Sequence, residues 1–313
     1  MVKAPSFKIE VGGKDITEAI SKNLISLSLN DKEKNEADEL SLELTGKVKR
    51  PSLGSKLKVY LGYDGIFTYM GSFNVETTTR KDNYGLGIHA TGVNFSQKIK
   101  ERKDVTYEKQ SIKEICSQIA KSNELNLNCD YEDVFISSKA QNAQSDMAFL
   151  NDLAKEYNAI FNIKNDTLIF RKKQDEKSQK KSTLPSVSVD VQDCISIWVK
   201  FSAKTGYKSC VVLWQDTKSN EIKEVTVGSG TPVLRHRASI KDPAQAEQIA
   251  KAQLAKSNAG VKTGSLKIAG RAVFAGSRLI LSGGIDENGV YSVTSVIHEL
   301  NNTGWYTTIN FEN

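Results

Sequence analysis

The sequence predicts a mainly β protein with a smaller α+β part, arranged as two β-barrel domains flanking a small α+β domain. Three observations carry this reading. Two-residue alternation dominates both ends of the chain, as in Leu40-Ser41-Leu42-Glu43-Leu44, whose leucines must share one face of a strand. Helical spacing is concentrated in the middle. One β pattern also recurs, because Gly54-Ser55-Lys56-Leu57-Lys58-Val59-Tyr60-Leu61-Gly62 is matched by Gly276-Ser277-Arg278-Leu279-Ile280-Leu281-Ser282-Gly283-Gly284.

Both copies continue alike. Asp64-Gly65, Gly71-Ser72-Phe73-Asn74-Val75 and a hairpin ending in Gly85-Leu86-Gly87-Ile88-His89-Ala90-Thr91 follow the first; Asp286-Glu287-Asn288-Gly289, Tyr291-Ser292-Val293 and Asn301-Asn302-Thr303-Gly304-Trp305-Tyr306-Thr307-Thr308-Ile309 follow the second. Three chains with two copies each would present six similar modules around an axis. Any two antiparallel meanders also share alternation and glycine turns, so the pattern alone leaves both readings open.

Residues 1–102 form the first predicted barrel. Phe7-Lys8-Ile9-Glu10-Val11 alternates, Gly12-Gly13 turns, and Leu24-Ile25-Ser26-Leu27-Ser28-Leu29 alternates again. So many meandering strands would leave unpaired edges unless the sheet closed or nearly closed. Residues 103–172 form the α+β domain. Ser111-Ile112-Lys113-Glu114 has the form of a capping box, and Ile112, Ile115, Cys116, Ile119 and Ala120 recur at helical steps. A second helix starts at Ser145, whose side chain can accept from free N–H groups of the first turn, with Asp146 against the positive dipole end and Met147, Leu150, Leu153, Ala154 and Tyr157 as its stripe. A hairpin then runs through Ala159-Ile160-Phe161-Asn162-Ile163 and Thr167-Leu168-Ile169-Phe170.

Residues 173–190 are predicted to be a lysine-rich linker, since the run from Arg171 to Ser182 offers no apolar side chain to bury. Residues 191–313 form the second barrel, with strand character at Cys194 to Phe201, Ser209 to Trp214 and four later stretches. A helix near 243–258 is inserted: Asp242 caps it, Pro243 takes its first position, Ala246, Ile249, Ala250 and Leu254 form its apolar face, and Gly260 stops it.

Composition narrows the function. The chain has 313 residues, 39% apolar and 26% charged, which is ordinary for a globular protein with two or three cores. No apolar run reaches bilayer-crossing length, and Met1-Val2-Lys3-Ala4-Pro5-Ser6 lacks the core of a signal peptide, so use from the cytoplasm is expected. Cys116, Cys129, Cys194 and Cys210 are widely spaced and form no CxxC pair, so they are read as small core residues. The net charge of +6 is spread along the chain. Without basic stretches interleaved with aromatics it describes a solvated lysine-rich surface rather than a nucleic-acid groove.

No catalytic, cofactor-binding or metal-binding residues are assigned. His298-Glu299 opens like a zinc-peptidase helix, but Leu300-Asn301-Asn302 follows and the second ligand is missing. His236 lies between Arg235 and Arg237 as a surface residue, and His89 belongs to a strand. Gly228-Ser229-Gly230 lacks the lysine and hydroxyl of a phosphate loop, and Gly85-Leu86-Gly87 precedes no helix. A Gly-x-Ser-x-Gly elbow does not occur, and no groove rich in Trp and Tyr points to a glycosidase pair.

Several segments resemble the late control protein D family of contractile-tail bacteriophages, which supplies the baseplate hub. They are Ala37-Asp38-Glu39-Leu40-Ser41-Leu42-Glu43-Leu44, Leu61-Gly62-Tyr63, Met70-Gly71-Ser72-Phe73-Asn74-Val75, Phe95-Ser96-Gln97-Lys98-Ile99-Lys100-Glu101-Arg102 and Gln144 to Ala154, with Tyr157-Asn158-Ala159-Ile160-Phe161 after it. The resemblance implies tube-like barrels and a non-enzymatic homotrimer forming a pseudo-sixfold ring. That ring would join the hexameric tail tube to the trimeric central spike and contact other baseplate proteins. Nucleic acid would be passing cargo only, with no small-molecule substrate and no membrane-spanning segment. The expected place is the virion tail baseplate, assembled in the host bacterial cytoplasm. Two alternatives accompany it: a peptidoglycan-binding tail-associated module, since such middle units can resemble LysM modules, and the hub of a type VI-like secretion machine.

Overall fold

A computed structural model of the chain describes residues 4–32, 38–81, 85–92, 97–164, 167–172, 186–203, 206–216, 219–240 and 242–313. The first module contains β1 (Pro5–Val11), β2 (Lys14–Asp15), α1 (Thr17–Ser21), β3 (Leu24–Lys32), β4 (Glu39–Leu44), β5 (Lys56–Tyr63), β6 (Ile66–Arg80) and β7 (Leu86–Gly92). Next come β8 (Arg102–Ser111), α2 (Ile112–Ser122), β9 (Asn126–Cys129), β10 (Phe135–Ser145), α3 (Asp146–Glu156), β11 (Ala159–Lys164) and β12 (Thr167–Lys172). The remainder holds β13 (Val187–Asp190), β14 (Ser196–Phe201), β15 (Ser209–Asp216), β16 (Glu221–Gly228), β17 (Val233–Arg237), α4 (Pro243–Asn258), β18 (Lys262–Ala269), β19 (Arg278–Ser282), β20 (Gly289–Asn301) and β21 (Gly304–Glu312).

Two compact units result, one from residues 1–94, 176–200 and 263–313, the other from 95–175 and 201–262. The first is a 13-stranded sheet whose main path runs β14-β18-β21-β20-β3-β4-β7-β6-β5-β1-β2, with β19 paired to β20 and β13 to β19. Alternation places the apolar residues of each strand inward. Leu27, Leu29, Leu40, Leu57, Val59, Leu61, Phe73 and Leu86 form one cluster; Leu266, Leu279, Val293, Val296, Ile309 and Phe311 form a second. Each such side chain contributes on the order of 1.5–3 kcal/mol by leaving water.

The second unit is the α+β part. The capping box of α2 is present: Ser111 Oγ accepts from Glu114 N at 3.2 Å, and Ser111 N donates to the Glu114 carboxylate at 2.7 Å. Ser145 caps α3 with its side chain alone, its Oγ accepting from Ala148 N at 3.2 Å. Under the first turn of α3, the buried Asp146 carboxylate accepts from Lys103, Asn123 and Gln141 at 2.6, 2.9 and 3.0 Å. Three hydrogen bonds, one of them from the Lys103 cation, offset the cost of burying that charge. β11 pairs with β12 as an antiparallel hairpin, and β9 lies parallel to β12.

Three expectations about organisation change. Residues 201–262 pack into the α+β unit rather than a second barrel: Cys210, Val212 and Trp214 of β15 and Ala246, Ile249 and Ala250 of α4 share one core with Ile115, Leu150 and Phe170. The helix near 243–258 therefore completes the unit begun at 103–172. The linker span 173–190 is also not uniform. Its part from 173 to 185 lies outside the described residues, but Val187 and Val189 are buried in β13, which runs parallel to β19. Finally, among the described residues no pairing closes either module on itself, because the far edge of β3 is taken by β20. Among the strands not anticipated, β8 and β10 form an antiparallel pair interrupted by a bulge between Gln141 and Gln144.

Candidate subunit interface

The sequence repeat is a structural repeat. Neighbouring strands run β1-β5-β6-β7-β4-β3 in one module and β13-β19-β20-β21-β18-β14 in the other, and the two sets also follow the same order along the chain. Small details coincide. Gly54 N donates to Val75 O at 2.8 Å and Val75 N to Ser55 O at 3.0 Å; Gly276 N donates to Val293 O at 2.8 Å and Val293 N to Ser277 O at 3.0 Å. A bulge follows at the same place, between Val75 and Thr77 in β6 and between Val293 and Ser295 in β20. Two residues before an inward aromatic, Gly71 and Gly289 adopt φ of 145° and 153°, a region disfavoured for residues with a Cβ. The rings of Phe73 and Tyr291 lie against those glycines. One difference stands out: β1 is antiparallel to β5, whereas β13 is parallel to β19.

The modules meet inside the chain where β20 pairs with β3, from Ser295 opposite Lys32 to Asn301 opposite Ser26. This seam is dry. Leu27, Leu29, Val296 and His298 are buried, and the buried Asp31 carboxylate accepts from Ala275 N at 2.9 Å. His298 Nε2–H donates to the Val273 carbonyl at 3.0 Å, and its Nδ1 lies 3.2 Å from Thr307 Oγ1. Burial pushes the His298 pKa down to about 4, so the ring is neutral at physiological pH. Trp305 packs beside it, with ring centroids 6.0 Å from His298 and 5.3 Å from Tyr63.

The residues weighed for chemistry are dispersed. His298 is a strand residue committed to the seam, His89 lies in β7 opposite Ser41 and Thr77, and His236 lies in β17 opposite Val212. Gly228 ends β16 at a left-handed turn toward β17. Among the described residues no group of three or more His, Cys, Asp or Glu could hold a metal ion, and no helix is long and apolar enough to cross a membrane. The surface feature that sequence reasoning missed is the end strand β14, where Trp198 is 59% exposed and Phe201 48% exposed. Alternation in Ser196–Phe201 marks a strand, but only the sheet order shows that one of its edges has no neighbouring strand among the described residues.

A duplicated, mainly β sheet carrying an α+β insertion is a fold that the chain shares with solved tail proteins. The solved structures most like it include the 43 kDa tail protein of prophage MuSo2 from Shewanella oneidensis, with TM-score 0.69, 11% identity and 98% of both chains covered. A tail protein from Neisseria meningitidis MC58 gives TM-score 0.72 at 11% identity, covering 99% of this chain and 97% of that one. In sequence, the probable baseplate hub protein of Escherichia phage 186 is 26% identical over 99% of this chain and 93% of its own. The corresponding protein of Escherichia phage P2 is 25% identical over 98% and 93%. The model of the phage tail baseplate hub (GPD) family matches residues 18–304, and the chain belongs to that family. It is a structural protein of the phage tail baseplate.

Proposed function

We propose that three copies of the chain form a ring with threefold true symmetry and sixfold pseudo-symmetry, joining a hexameric tail tube to a trimeric central spike. The observation that carries this reading is the six-strand order found twice in one chain, with the same bulge and the same hydrogen bonds at its turn. Six similar sheets can face a sixfold partner on one side, while the three chains present a threefold surface on the other. The remaining partners are other baseplate proteins. DNA enters only as cargo passing through the ring, and assembly takes place in the cytoplasm of the bacterial host.

Native mass spectrometry of the purified protein tests this. The expected species has three times the 34.5 kDa chain mass. A monomer that also fails to bind spike or tube protein would refute it.

A further inference from the structure

The internal seam supplies a template for the contact between chains. In it, β3 of the first module lies on the part of β20 that extends past β19. Module equivalence maps β3 onto β14 and β20 onto β6. Matching bulges place Thr77 with Ser295, and matching inward residues place Leu27 and Leu29 with Ile197 and Val199. The mapped partners do not meet within one chain. β14 ends the sheet path, and β6 past Val75 pairs only with β7 among the described residues.

Burial records the difference. Val296 and Leu29 are buried in the seam, whereas their counterparts Thr78 and Val199 are only half-buried and Thr77 and Thr79 are exposed. We propose that β14 of one chain pairs antiparallel with the distal part of β6 of the next copy, reproducing the β3–β20 seam between subunits. The inference rests on the ring reading above and specifies its contact. The seam register, Ile297 opposite Asn30 and Val296 opposite Asp31, carries over as Thr79 opposite Lys200 and Thr78 opposite Phe201.

Such a contact is head-to-tail: one β14 edge and one β6 edge per chain pass it from copy to copy, and a rotation of a third of a turn per chain closes it into the ring. Both edges have suitable chemistry. Ser196–Phe201 and Thr77–Thr79 are rich in β-branched and aromatic residues, and neither carries a proline. Main-chain pairing would cover Val199 as β20 covers Leu29 and would bury much of the exposed Phe201.

The pairing dictates two variants. Ser202 N donates to Val261 O at 2.8 Å, so alternation directs the Lys200 N–H toward β18 and the Val199 N–H toward the open edge. V199P therefore deletes an outward donor, which an edge strand tolerates, while blocking the neighbour. Thr79 and Lys200 would form a non-hydrogen-bonded pair, whose Cα separation of about 4.5 Å suits a disulfide. T79C/K200C should give covalent dimers and trimers on a non-reducing gel, with each single variant giving neither. V199P should fall from three chain masses to one while its circular dichroism and melting remain cooperative. Wild-type trimers with no T79C/K200C cross-link, together with a V199P protein that stays trimeric, would overturn the strand pairing and leave the ring intact. Wild-type monomers that also fail to bind spike or tube protein would overturn both.

Discussion

Lowering the pH from 7 to 5 should weaken the seam between the two modules through His298. The ring is buried, donates to the Val273 carbonyl, and has its pKa pushed down to about 4 by desolvation from an ordinary 6.5. Between those values the unfolded chain binds the proton and the folded chain does not, so stability falls as pH falls. With about 1.36 kcal/mol per pKa unit, the loss from pH 7 to 5 is about 2 kcal/mol. Asp38 works in the opposite direction: burial raises its pKa to about 6, so its protonation favours the fold as pH falls. The assay is therefore a difference, urea denaturation of the wild type and H298Q at each pH. Glutamine keeps a donor and cannot titrate. The stability advantage of the wild type over H298Q should shrink by about 2 kcal/mol between pH 7 and 5. An advantage that does not change with pH would refute the assignment of a neutral, buried imidazole.

Two further variants probe the packing that positions these elements. G270A should destabilise the sheet by about 1–3 kcal/mol, since a Cβ there would lie 2.2 Å from Trp305 Cδ2, and a thermal melt will show it. D146A should cost about 3–5 kcal/mol in urea denaturation, because it leaves the Lys103 ammonium and the Asn123 and Gln141 amides without their shared acceptor.

Much of this architecture was legible because it is local. The leucines of β4 and the paired Gly-Ser openings of β5 and β19 announce their strands through a period of two. Ser111, Ser145 and Asp242 announce α2, α3 and α4 through capping chemistry. What escaped was either masked or long-range. β8 and β10 form a polar two-stranded ribbon with left-handed residues at Lys109 and Ala143, so no clean alternation survives. β13 offers only Val187 and Val189 beside a lysine-rich stretch. The apolar run of β15 marks a strand but does not say which core it enters, and its packing against α4 assigns it to the α+β unit. The seam was equally hidden, since His298 in a sequence looks the same whether it faces a metal, water or a neighbouring strand.

The position of β3 has a consequence for biosynthesis. Its second neighbour, β20, emerges from the ribosome only after the chain has grown from Lys32 to Gly289, which takes on the order of ten to fifty seconds at bacterial elongation rates. Throughout that interval the nascent polypeptide carries a leucine-lined rim without its cover. Neighbouring chains on one polysome could cross-pair there, so slow translation or crowded expression should penalise yield before any mature particle is built.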